Sequence, residues 1–155
     1  IEFTVPESDI ISDTSSAIES FSKSSYKGEI TWKKIEVEQV TIDSFCEDRK
    51  LEKVDLMKID VEGYELSVVK GALNIIEKCK PTIIIESFLD NEKQEFLENF
   101  VVVNDYTIYL IVKEGIIKTG KKFEGNIGLN YLLMSFETKN VFTQMSEIKT
   151  LYNKD

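Results

Sequence analysis

The run Val54-Asp55-Leu56-Met57-Lys58-Ile59-Asp60-Val61-Glu62-Gly63 constrains this chain more than any other stretch. With a period of two, Lys58, Asp60 and Glu62 share one side of a strand while Met57, Ile59 and Val61 share the other. Gly63 follows where a helix can begin. A lysine and two carboxylates in or beside a buried parallel strand lose hydration, so each needs a partner or a shifted pKa. Such groups concentrate at functional sites.

The next segment extends this run into strand, helix, strand. From Gly63 to Cys79 the apolar residues Leu66, Val69, Leu73 and Ile76 recur at steps of three and four, with Ala72 beside them, which predicts one helix with a single apolar stripe. Lys78 and Lys80 suit its C-terminal end, and Pro81 stops it. The β-branched run Thr82-Ile83-Ile84-Ile85-Glu86-Ser87-Phe88 reads as a strand covered on both faces. Two strands joined by a helix form a βαβ crossover, and open α/β sheets bind ligands beyond the carboxyl ends of their strands. Asp60, Glu62 and Glu86 all fall at those ends.

These residues resemble the FkbM-type methyltransferases. The matching positions are Met57-Lys58-Ile59-Asp60-Val61-Glu62-Gly63-Tyr64-Glu65-Leu66, then Val69-Lys70-Gly71-Ala72, then Pro81 to Glu86. Asn130-Tyr131-Leu132-Leu133 is similar to the family's closing strand. Ser15-Ser16 and Val40-Thr41-Ile42-Asp43-Ser44-Phe45 resemble the segments that precede the signature. The resemblance implies an α/β fold, the C-terminal part of a Rossmann-like methyltransferase sheet, mostly parallel with an antiparallel hairpin. It implies S-adenosylmethionine as cofactor and a small-molecule hydroxyl as acceptor. Asp60 and Glu62 then take the catalytic role, Asp60 and Val61 meet the cofactor, and Glu86 and Lys58 meet the substrate.

A glycine loop between the first strand and helix of such a site lets the backbone approach its ligand. Of the seven glycines, only the stretch Glu124-Gly125-Asn126-Ile127-Gly128 has a loop-like look, and it precedes a strand, so it reads as a turn. In the family the glycine loop lies well before the signature. The expectation is therefore a single, partial methyltransferase domain over residues 1–155, without the glycine-rich half and with an exposed sheet edge that favours self-association into a homo-oligomer.

Histidine is absent, so Ser-His and Cys-His nucleophiles are excluded and any acid-base step falls to carboxylates, Lys or Tyr. A methyl transfer to oxygen needs little more, because the donor is already activated by its sulfonium charge. A net charge of -9, with Arg49 as the one arginine, argues against nucleic acid as a partner. No apolar run is long enough to span a membrane. Cys46 and Cys79 lack metal or disulfide spacing, so no metal is assigned and a reduced, cytoplasmic setting fits.

Elsewhere the chain is ordinary. The opening Ile1-Glu2-Phe3-Thr4-Val5 reads as a strand, residues 8–25 as a serine-rich solvated loop, and Glu29 to Val40 as a strand in which Trp32 packs. Thr41 caps a short helix. Asn91 to Val101 reads as a helix, Tyr106–Val112 and Ile116–Lys118 as a hairpin turning at Glu114-Gly115, Asn130–Phe136 as a strand, and residues 140–155 as a last helix. Tyr64 and Glu65 read as structural, Glu65 as an early-helix acid, and Gly71 as a point of close helix-sheet contact. Two further functional classes remain beside methyl transfer. One is a non-catalytic module acting through a partner surface. The other is a magnesium-dependent phosphoryl-transfer enzyme using Asp60 and Glu62, since hard cations prefer carboxylate oxygens.

Overall fold

The computed structural model describes residues 2–6, 32–61, 63–87, 91–113, 115–123 and 129–136. Glu62, residues 8–25, the turn at 124–128 and the helix expected over 140–155 lie outside the described residues. The backbone groups into two compact units, residues 1–40 and 41–155. In the first, β1 (Glu2–Pro6) pairs antiparallel with β2 (Trp32–Glu36), Phe3 opposite Ile35. Strands lie within both expected segments, but the second ends at Glu36, short of the expected Val40.

The second unit holds α1 (Ile42–Asp48), β3 (Leu56–Ile59), α2 (Glu65–Lys70), α3 (Leu73–Cys79), β4 (Thr82–Ser87), α4 (Asn91–Val103), β5 (Tyr106–Val112), β6 (Gly115–Gly120) and β7 (Leu129–Ser135). Its strands form one sheet in the order β3-β4-β7-β5-β6. The α/β class is as expected from the sequence. The expectation of a mostly parallel sheet is corrected: only β3 and β4 are parallel neighbours, and the other three pairings are antiparallel. The cause is β7, which returns between β4 and β5 and separates two strands that run in the same sense.

Alternation decides the layering. Met57, Ile59, Ile83, Ile85, Ile108, Tyr131 and Leu133 point to one face and are all buried. Helices α2 and α4 pack on strands of this sheet, β4 and β5 respectively, and the core they help to form includes Val69, Ala72, Ile76, Leu97, Phe100 and Val101. Burying each such side chain contributes about 1.5–3 kcal/mol relative to leaving it in water. On the opposite face Leu56 and Lys58 are exposed, and Ile84, Glu86, Asn130 and Leu132 are half-buried. Strand β4 is therefore fully covered on one face only.

The helix expected from Gly63 to Cys79 is two helices. Gly71 gives its carbonyl to the Asp43 amide at 2.8 Å, outside any helical pattern. The Asp43 carboxylate then accepts from the amides of Asn74 (3.1 Å) and Ile75 (2.9 Å), so it caps α3 from another element. The break shifts the apolar stripe: Val69, Ala72, Ile75 and Ile76 are buried, whereas Leu73 is exposed. Gly71 also differs from expectation, since a Cβ there would meet the Thr41 Cβ at 3.3 Å. Its close approach is to the α1 cap. Thr41 itself caps α1 as expected, its hydroxyl accepting from the Ser44 amide at 3.0 Å.

Tyr106 ties β5 to the β4 entry. Its hydroxyl donates to the Pro81 carbonyl at 2.7 Å, and its ring, stacked 5.9 Å from Phe100, is completely buried. Burial pushes its ionisation far above the ordinary tyrosine range. Tyr106→Phe leaves the Pro81 carbonyl without this donor and is expected to cost about 1–3 kcal/mol. Urea unfolding of the two proteins checks this through the shift in midpoint at constant slope.

Candidate functional site

The polar face of β3 carries its groups to the carboxyl ends of β3 and β4. Lys58 lies opposite Ile84, and Glu86 lies opposite Asn130 in the pairing of β4 with β7. Three strands thus converge on one sheet end. Lys58 Nζ is 2.9 Å from an Asp60 carboxylate oxygen and 3.4 Å from Asn130 Oδ1. Hydrogen bonding to Lys58, and secondarily to Glu86, holds the Asp60 carboxyl below the ordinary aspartate range, against the upward push of its partial burial. Lys58, Asp60, Glu86 and Asn130 therefore form one contiguous polar cluster.

The cluster is wetter than the sequence implies. Lys58 and Asp60 side chains are 44% and 48% exposed, so neither is the dehydrated group expected of a buried strand. The physical reason is the position of β3 at the margin of the described sheet, with one face uncovered. A half-exposed ion pair contributes little to stability. Its value is positional: the lysine fixes where the carboxylate sits and keeps it ionised.

Of the site residues expected from sequence, the structure brings together Lys58, Asp60 and Glu86. Val61 directs its side chain to the core's margin and is half-buried. Glu62 lies outside the described residues. Asn130 was legible only as part of a strand; its spacing says nothing of a site until β7 is laid beside β4. Glu65 stands in the first turn of α2, the early-helix acid expected, and has a further contact that the sequence did not show. It is buried to 1% exposure, and its Oε1 accepts from the Gly63 amide at 2.7 Å. The cue in the sequence was a glutamate two residues after Gly63.

Among the described residues no three carboxylate or thiol groups converge as a metal site requires. Cys46 is buried and Cys79 half-buried, both as free thiols. No helix among the described residues is long and apolar enough to cross a membrane.

The profile of the methyltransferase FkbM domain matches residues 4–113, most of the chain and all of β3 through β5. This chain belongs to the FkbM methyltransferase domain family. No curated protein and no solved structure matches it. The family match includes Lys58, Asp60 and Glu86, while Asn130 lies beyond it.

Removing the lysine tests the electrostatics directly. In Lys58→Met the Asp60 carboxyl is expected to titrate at higher pH than in the native protein, followed by its carboxyl carbon resonance. The sign follows from linkage: a carboxyl depressed in the folded state adds stability above its unfolded pKa and loses it as pH falls through the folded value. An unmoved resonance would show that Lys58 does not set the charge of Asp60.

Proposed function

We propose that this chain forms the acceptor side, and part of the donor pocket, of an S-adenosylmethionine-dependent methyltransferase acting on a hydroxyl of a sugar or natural product. Family membership supports methyl transfer. The observation that carries the placement is the Lys58–Asp60 pair beside Glu86 and Asn130 at the carboxyl ends of parallel β3 and β4. Ligands of α/β sheets sit at such ends.

The donor set fits a cationic cofactor. The Asp60 carboxylate suits a sulfonium or ammonium charge, with the Glu86 carboxyl hydrogen-bonded beside it, and no histidine or metal is needed there. S-adenosylmethionine supplies an already electrophilic methyl group, so the protein has chiefly to orient an oxygen and accept its proton. Asp60 would lie against both cofactor and acceptor, with Val61 behind it. Being held ionised, Asp60 accepts a hydrogen bond from the acceptor hydroxyl at any physiological pH. Its low proton affinity favours orientation and charge screening. We assign Glu62 as the second carboxylate for proton removal, and Lys58 and Glu86 to hold the acceptor's other polar groups.

One observation favours the second reading, a non-catalytic module. The outer edge of β3 pairs with no strand among the described residues, which leaves main-chain groups to receive a partner or a second copy. We take the Rossmann-like character to reside in β3, β4 and β5, which share one direction, within a single partial domain over residues 1–155. The free thiols of Cys46 and Cys79 support a cytoplasmic setting, and the charge of -9 supports a small-molecule partner over nucleic acid.

Asp60→Asn in the natural protein is expected to lower kcat by about 10²-fold with an unchanged far-ultraviolet dichroism spectrum. Transfer should persist with a chelator present, which separates this reading from magnesium-dependent phosphoryl transfer. Unchanged turnover would remove Asp60 from the chemistry. Calorimetry with S-adenosylmethionine on residues 1–155 alone should give weak or no heat.

A further inference from the structure

A carboxylate buried to 1% exposure is costly unless hydrogen bonds replace its water, and Glu65 replaces only part of it. Oε1 accepts the Gly63 amide at 2.7 Å, a short contact. Oε2 is buried and has no hydrogen-bond partner among the described residues. A side chain retained for stability alone would not be left so; an apolar residue of similar size would serve the core better.

The geometry of the preceding turn gives this carboxylate a different task. The Tyr64 amide closes on the Val61 carbonyl at 3.3 Å, and Gly63 sits third in that turn with φ at 97°. A positive φ is a conformation that glycine meets without a Cβ clash. In such a turn the third residue's amide has no partner inside the turn. Glu65 supplies it. The chain leaves β3 through Asp60 and Val61 straight into this turn, so its orientation sets where both residues are presented.

We propose that Glu65 is a positioning residue for the candidate site: its buried carboxylate latches the Gly63 amide and thereby fixes the turn that presents Asp60 and Val61 at the end of β3. The inference rests on the methyltransferase reading for its functional consequence and on the hydrogen bond alone for its structural one. Gly63 and Glu65 form a unit, the first making the turn possible and the second locking it. Lys58 holds Asp60 from within the strand, and Glu65 holds it from the turn beyond.

Amide hydrogen exchange separates the latch from a packing role, with three variants compared. In Glu65→Leu, which keeps bulk and removes the acceptor, the Gly63 amide should exchange about ten- to a hundredfold faster. Glu65→Asp keeps the charge but shortens the reach and should behave the same way, so the test survives if one variant fails to fold. Glu65→Gln keeps an acceptor oxygen and should stay within about threefold of native. In the natural protein the Leu and Asp variants should lose kcat with little change in the melting midpoint, and Gln should rescue it. Native-like Gly63 exchange in both Leu and Asp variants overturns the latch. Fast exchange there, in a native protein that transfers no methyl group, upholds the latch and removes the methyltransferase reading; normal turnover in those variants with fast exchange removes the positioning role.

Discussion

The parallel pairing of β3 with β4 is the constraint on which the rest depends. Its register sets Ile59 opposite Ile85 and Lys58 opposite Ile84. Because successive side chains alternate, a slip of one residue would drive Lys58 into the layer occupied by Val69 and Ile76 and expose Met57 and Ile59. The desolvation of an unpaired ammonium there exceeds anything the strand could recover. The same register that buries two apolar side chains therefore delivers Lys58 and Asp60 to the opposite face, and the site inherits its accuracy from the core.

A second constraint acts at the joint between α2 and α3. Continuous helix through Gly71 and Ala72 would preserve the intrahelical ladder, yet the chain gives it up where Asp43 offers an amide to the Gly71 carbonyl and a carboxylate to two amides of the next helix. The exchange replaces helical hydrogen bonds with charge-assisted ones. It also brings Thr41, which caps α1, within contact of Gly71, where any side chain would crowd it. The Thr41-Ile42-Asp43 segment and the Gly71-Ala72 segment, far apart in sequence, thus act as one joint that sets the path from β3 to β4.

Much of this was legible in the chain. Alternation gave β3 its two faces, and the β-branched run after Pro81 gave β4 with nearly its observed bounds. The hairpin of β5 and β6 followed from residue type and a glycine turn. What failed to show has a common physical origin. The break in the helix depends on Asp43, the placement of β7 depends on which strand it pairs, and the wetness of Lys58 and Asp60 depends on β3 being marginal. Each is a long-range contact that local period and propensity do not encode. Asn130 entered the cluster for the same reason. Glu65 is different: its partner is two residues away, but its burial is decided by how α2 packs on the sheet.

A half-exposed ion pair leaves the candidate site open to a ligand. In water the attraction between Lys58 and Asp60 is weak, of order 1 kcal/mol at such separations. Covering the open face with a ligand would lower the local dielectric and strengthen every charge-charge interaction within it, at the expense of desolvating the pair. Two features limit that expense. Asp60 is already hydrogen-bonded on the lysine side, and the amide oxygen of Asn130 gives the lysine a second acceptor. A cationic ligand arriving at Asp60 would add a second favourable charge beside its carboxylate. The arrangement is thus suited to a positively charged ligand, whereas an anionic one would gain only Lys58 and meet the Asp60 carboxylate.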